Sequence, residues 1–231
     1  MSMRLRFWLP GMALLVGGVI TGTCHLFNFD STRDIAHVGQ YAPLGAFVHL
    51  VLFAGGLLAL LGWFGYYVLQ HPGVGTISLG AFVFLFLGIV SADLMPSILE
   101  FSVFPVIDEV APYALPGLAD ATYRSMPVSL LLIAGRILLF AGVSAAAMTL
   151  FRSPNVRRWP VIPLALTATL QALAMLPRSP ESIRNLALTA LYFSMAALGI
   201  ALLSARYAIS AAPVVQPHSA ISYEDSRPAE R

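Results

Sequence analysis

Asp93 and Arg136 are the two opposite charges set deep inside apolar stretches of this sequence. At 1.5 Å per helical residue, Asp93 lies roughly 10 Å below the end of its stretch and Arg136 roughly 13 Å. His49 and Gln171 fall at similar depths, roughly 10 Å and 9 Å. His25 lies within a turn of the end of its stretch, and Glu100 sits near the boundary of another. An ionisable group in hydrocarbon is costly, so each such residue is a candidate site by default.

Three kinds of chemistry follow from this set. A guanidinium in lipid needs a counter-charge. Asp93 and Arg136 lie on consecutive apolar segments, which are usually neighbours in space, so they are expected to meet as an intramembrane ion pair. The plainer role of such a pair is to fix two helices together. Next, Arg136, His49 and Gln171, with Glu100 at the rim, would form a pocket for a polar or anionic headgroup. Arginine would supply charge and a planar donor fork. The plainer roles are a single interhelical hydrogen bond for His49 and interhelical glue for Gln171, worth about 0.6 kcal/mol. Last, His25 and His49 are two imidazoles near one surface and could ligate a haem b iron, although no motif accompanies them. The sequence contains no HExxH, GxSxG or glycine-rich phosphate loop. It therefore offers no catalytic set, and the single Cys24 excludes both an intrachain disulfide and a multi-cysteine metal site.

The elements that must position these residues are apolar helices. The 231 residues are 58% hydrophobic and 10% charged, against about a quarter charged in soluble domains. A core of this size cannot hide that much apolar surface from water, so the solvent is lipid. Six segments stand out, at about 7–27, 42–69, 75–100, 127–151, 159–177 and 183–207, against the roughly 20 residues needed to span hydrocarbon. The first continues through Cys24 and is expected as an uncleaved span rather than a signal peptide. Gly18 and Gly22 form one GxxxG on it, expected to pack a neighbouring helix.

Arginine bias sets the expected orientation. With the N-terminus inside, the inner side receives Arg4, Arg6, Arg152, Arg157, Arg158 and Arg206. The outer side receives Arg33, Arg124, Arg178 and Arg184. The outer connection over residues 101–126 mixes apolar residues with Asp108, Glu109 and Asp120, and Pro105, Pro112 and Pro116 divide it. It is expected as an interfacial element. Residues 208–231 are polar and proline-bearing and are expected to be a disordered tail.

Together these features predict an all-α, polytopic helical bundle of six transmembrane helices with both termini cytoplasmic, in a cell membrane of the bacterial inner-membrane type. Its partners would be the lipid bilayer and other membrane subunits. A net charge of +2 gives no reason to expect nucleic acid. The functional expectation is a non-catalytic accessory or scaffold subunit, with a small transporter or receptor-like protein built on the outer-leaflet pocket as the alternative and a haem protein third.

Overall fold

The computed structural model describes residues 3–27, 38–70, 76–153, 158–176 and 179–211. The predicted tail at 208–231 and the connections at 28–37 and 71–75 lie wholly or largely outside these residues. Among the described residues there is no strand. The long helices are α1 (Met3–Leu26), α2 (Val38–Gln70), α3 (Thr76–Ile89), α7 (Met126–Arg152) and α9 (Glu181–Ala211). Between α3 and α7 the chain passes through α4 (Met95–Ile98), α5 (Phe104–Val110) and α6 (Leu115–Arg124), and α8 (Val161–Ala174) precedes α9.

Among the described residues, five helices are long and apolar enough to cross a membrane: Phe7–Leu26, Gly45–Leu69, Ile77–Val110, Met126–Arg152 and Ser182–Ser204. This is the anatomy of a multi-pass membrane protein. The surface agrees, because Phe47, Leu61, Phe64, Ile77 and Leu166 are all exposed on the outside of the bundle, where only lipid would suit them.

Two predicted segments differ from their expected form. The fifth, expected over 159–177, is an apolar helix confined to Val161–Ala174, roughly 21 Å long and shorter than the roughly 30 Å hydrocarbon core. Pro160 and Pro163 crowd its start, and the helix gives way to a turn after Ala174. The third does not end near residue 100. It runs on, with two local widenings, as Ile77–Val110. The connection at 101–126 is thus helical for most of its length. Ala111 (φ −149°, ψ 67°) and Ser125 (φ −56°, ψ 138°) are its non-helical joints on either side of α6.

Without water to drive apolar helices together, close backbone approach does much of the packing. A Cβ added to Gly17 would meet the backbone of Gly55 and Ala59, and one on Gly62 would meet Leu14, so α1 and α2 run antiparallel. Gly18 faces the backbone of Tyr192 and Ala196, while Gly11 faces Leu203 and Gly199. α1 and α9 are therefore antiparallel too, and the start of α1 lies at the same end of the bundle as the end of α9. Gly88 against Leu139, Gly142 against Leu85 and Gly135 against Ser91 and Ala92 set α3 and α7 antiparallel in the same way. The predicted GxxxG serves the fold internally, with Gly18 and Gly22 both turned to α9. The buried core joins these helices through Leu14, Leu85, Leu139, Leu164, Leu191 and Met195.

Candidate functional site

The third span carries both candidate carboxylates, and its prolines explain where they stand. Pro96 has no N–H to offer the carbonyl of Ala92. Just before it, the N–H of Met95 bonds the carbonyl of Val90, five residues back, and Val90–Leu94 forms a π-turn. The same device recurs at Pro105. The N–H of Phe104 bonds the carbonyl of Leu99, and Leu99–Val103 forms a second π-turn. Asp93 lies in the first and Glu100 in the second. Such bulges inside α-helices are frequent at functional sites.

Asp93 is 4% exposed, and both of its oxygens are engaged. Oδ2 accepts a hydrogen bond from the Tyr192 hydroxyl at 2.5 Å. Oδ1 lies 3.1 Å from His25 Nε2, a contact of ion-pair type in which the N–H is not aligned as a hydrogen bond. The imidazole of His25 stacks on the Tyr192 ring with centroids 5.7 Å apart, and His25 Nδ1 has no hydrogen-bond partner among the described residues. Ser97, one turn on, donates its hydroxyl to the backbone carbonyl of Asp93 at 2.9 Å. Three helices thus converge: α1 through His25, the first π-turn through Asp93, and α9 through Tyr192. Gly18 makes this convergence close enough, because the backbone of Tyr192 sits where its side chain would be. Gly56 of α2 lies over the Tyr192 hydroxyl, which is 3.2 Å from where a Cβ would stand.

Glu100 repeats the arrangement nearer the end of the span. One oxygen contacts His49 Nε2 of α2. The other accepts a hydrogen bond from the Tyr123 hydroxyl of α6 at 2.7 Å. The Tyr123 ring meets Phe104 edge-on, with centroids 6.0 Å apart. The Glu100 side chain is 17% exposed, against 3% for that of Asp93.

The sequence-predicted residues are therefore divided between two clusters and the helices beside them. Asp93, expected to meet Arg136, has contacts on its oxygens from His25 and Tyr192. Arg136 is half-buried on α7, makes an interaction of its own, and follows Gly135, which packs on the first π-turn. Of the pocket set, His49 and Glu100 are brought into contact. Gln171 is buried on α8, which packs against α7 and α9, and its Nε2 has no partner among the described residues. His25 and His49 each turn Nε2 to a different carboxylate, an arrangement that lends no support to a shared haem iron. Among the described residues, no three His, Cys, Asp or Glu side chains gather into a metal site.

No family model matches the chain, and neither curated proteins nor solved structures include a significant match.

Sequence reasoning missed Tyr192 and Tyr123. Both hydroxyls do what the carboxylates require, yet a tyrosine in an apolar segment carries no motif. The available signal was that a buried tyrosine hydroxyl needs a partner, and Asp93 was the deepest acceptor on offer.

Proposed function

We propose that this chain is a non-catalytic membrane protein that binds and exchanges a proton at Asp93, in the outer half of a bacterial-type inner membrane. The observation that carries this reading is the convergence of a carboxylate, an imidazole and a phenol on one π-turn, shielded from solvent. Ionisable groups placed this way in membrane helices mark proton relays. Asp93 and His25 together can hold one proton or two, and the Tyr192 hydroxyl can donate to the carboxylate in either state.

The topology belongs to the same proposal. Six crossings with both termini cytoplasmic agree with the antiparallel packing of α1 on α9, with α8 returning the chain across a thinned stretch. An anionic ligand at His49 fits less well, since Glu100 already occupies that imidazole.

Infrared difference spectroscopy of the protein in liposomes tests the reading. As bulk pH is moved from about 4 to about 9, a buried carboxyl band should appear and vanish, and Asp93→Asn should abolish it. A spectrum with no band assignable to Asp93 would overturn proton exchange. It would favour the second reading, in which the Asp93 cluster is a staple for α1, α9 and the third span in an accessory subunit. That reading rests on the same three-helix convergence.

A further inference from the structure

We propose that Glu100, His49 and Tyr123 form the mouth through which the Asp93 site exchanges its proton with the outer aqueous phase, and that α6 is the latch on that mouth. This rests on the reading of Asp93 as a proton site.

The two clusters share a plan: a carboxylate on a π-turn, a histidine from the first or second helix and a tyrosine from a third element. They lie seven positions apart on one span, two turns or roughly 10 Å along the axis. Burial relaxes from the inner cluster to the outer one, as it would along a path to water.

The outer cluster differs in the element that supplies its phenol. Tyr192 belongs to a long bundle helix, whereas Tyr123 belongs to α6, a ten-residue helix between the two non-helical joints at Ala111 and Ser125. α6 buries Leu115 and Ala119 and exposes its Asp120–Arg124 pair. Swinging α6 about Ser125 would remove the Tyr123 hydroxyl from Glu100 and open the carboxylate to water, leaving the spans in place.

The charged and titratable groups around the mouth are consistent with this role. His49 faces Glu100 from α2 and Tyr123 faces it from α6. Asp108 is half-buried and Glu109 exposed on α5. Asp120 and Arg124 are paired with each other on α6, and Arg136 lies on α7. His25 and Tyr192 are the corresponding groups on Asp93, and Arg136 follows Gly135, which packs on the first π-turn. In the exchange, a proton leaving the Asp93–His25 pair passes through intervening water to the Glu100–His49 pair and is then released to outer water. The protein regains its starting charge when a proton returns by the same route.

The test is an outer pH jump on proteoliposomes, with the Asp93 and Glu100 carboxyl bands followed in time. In the unmodified protein the Glu100 band should respond first and the Asp93 band should follow. Glu100→Gln should slow the Asp93 response about a hundredfold, the low end of what a positioned acid–base group contributes, while its equilibrium titration persists. Tyr123→Phe should speed it, because the latch is lost. An unchanged Asp93 rate in Glu100→Gln, or a slower or unchanged rate in Tyr123→Phe, would overturn the mouth while the Asp93 reading stands. The Tyr123 variant decides the matter if Glu100→Gln does not fold. An Asp93 band that is silent at equilibrium, before any jump, is instead the failure of the Asp93 reading, and the mouth falls with it.

Discussion

Tyr192→Phe removes one hydroxyl and almost nothing else. The ring is fully buried, and phenylalanine keeps its shape, so no cavity opens and the stack on His25 is retained. What is lost is the donor 2.5 Å from Asp93 Oδ2. A hydrogen bond to a charged group contributes about 1.5–3 kcal/mol, and a neutral one about 0.5–1.5 kcal/mol. Interhelical hydrogen bonds inside membranes average only about 0.6 kcal/mol by double-mutant cycle. These ranges separate the two protonation states of Asp93. With Asp93 ionised, Tyr192→Phe should cost about 2 kcal/mol. In the Asp93→Asn background the same change should cost about 0.6 kcal/mol, leaving a coupling of more than about 1 kcal/mol between the residues. The assay is reversible unfolding in mixed detergent–lipid micelles at rising SDS fraction, run on both singles and the double. A coupling at or below about 0.5 kcal/mol, where distant sites already fall, would refute a charge-assisted bond. The converging geometry would then be packing alone.

Two further substitutions test how the site is held. Gly18→Ala places a methyl 2.4 Å from the carbonyl oxygen of Tyr192 and should cost about 1–3 kcal/mol by overpacking, while Gly80→Ala, which meets nothing within 4 Å, should be neutral or stabilise by up to about 1 kcal/mol; thermal unfolding in detergent compares the two, and equal effects would remove the close α1–α9 contact from the account. Pro96→Ala restores an N–H that can bond the Ala92 carbonyl and should draw the first π-turn into regular α-helix, rotating Asp93 relative to Glu100, so the Tyr192–Asp93 coupling measured in that background should fall to about 0.6 kcal/mol, and an undiminished coupling would show that the turn does not depend on the proline.

Much of the fold was legible because one solvent governs it. Lipid demands long apolar helices with their backbone bonds satisfied internally, and among the described residues five such helices stand where runs of apolar residues predict them. The misjudged lengths share a cause. Around 159–177 and 101–126, hydropathy cannot say whether an apolar residue faces lipid, headgroups or protein. Pro160 caps the start of one helix there, which ends at Ala174. Pro105, by contrast, interrupts a helix without ending it, so the third span runs on to Val110.

The candidate site was legible in its residues and only partly in its pairings. His25, His49, Asp93 and Glu100 stand out in a sequence because hydrocarbon makes each of them expensive, and all four lie in the two clusters. Their partners follow from rotation about the helix axis, which a π-turn alters and hydropathy does not record. A regular helix would place Asp93 at a different angle, because the bond from Met95 to Val90 closes over five residues instead of four. The widened turn presents its carboxylate to His25 and Tyr192, on helices remote in sequence but brought within reach by Gly18, two partners that opposite charge on the next helix does not announce. A proline that interrupts a membrane helix a few residues beyond an acidic side chain therefore carries two pieces of information. It marks where the helix can widen, and it signals that the acid can take partners on helices remote in sequence, as Asp93 takes His25 and Tyr192.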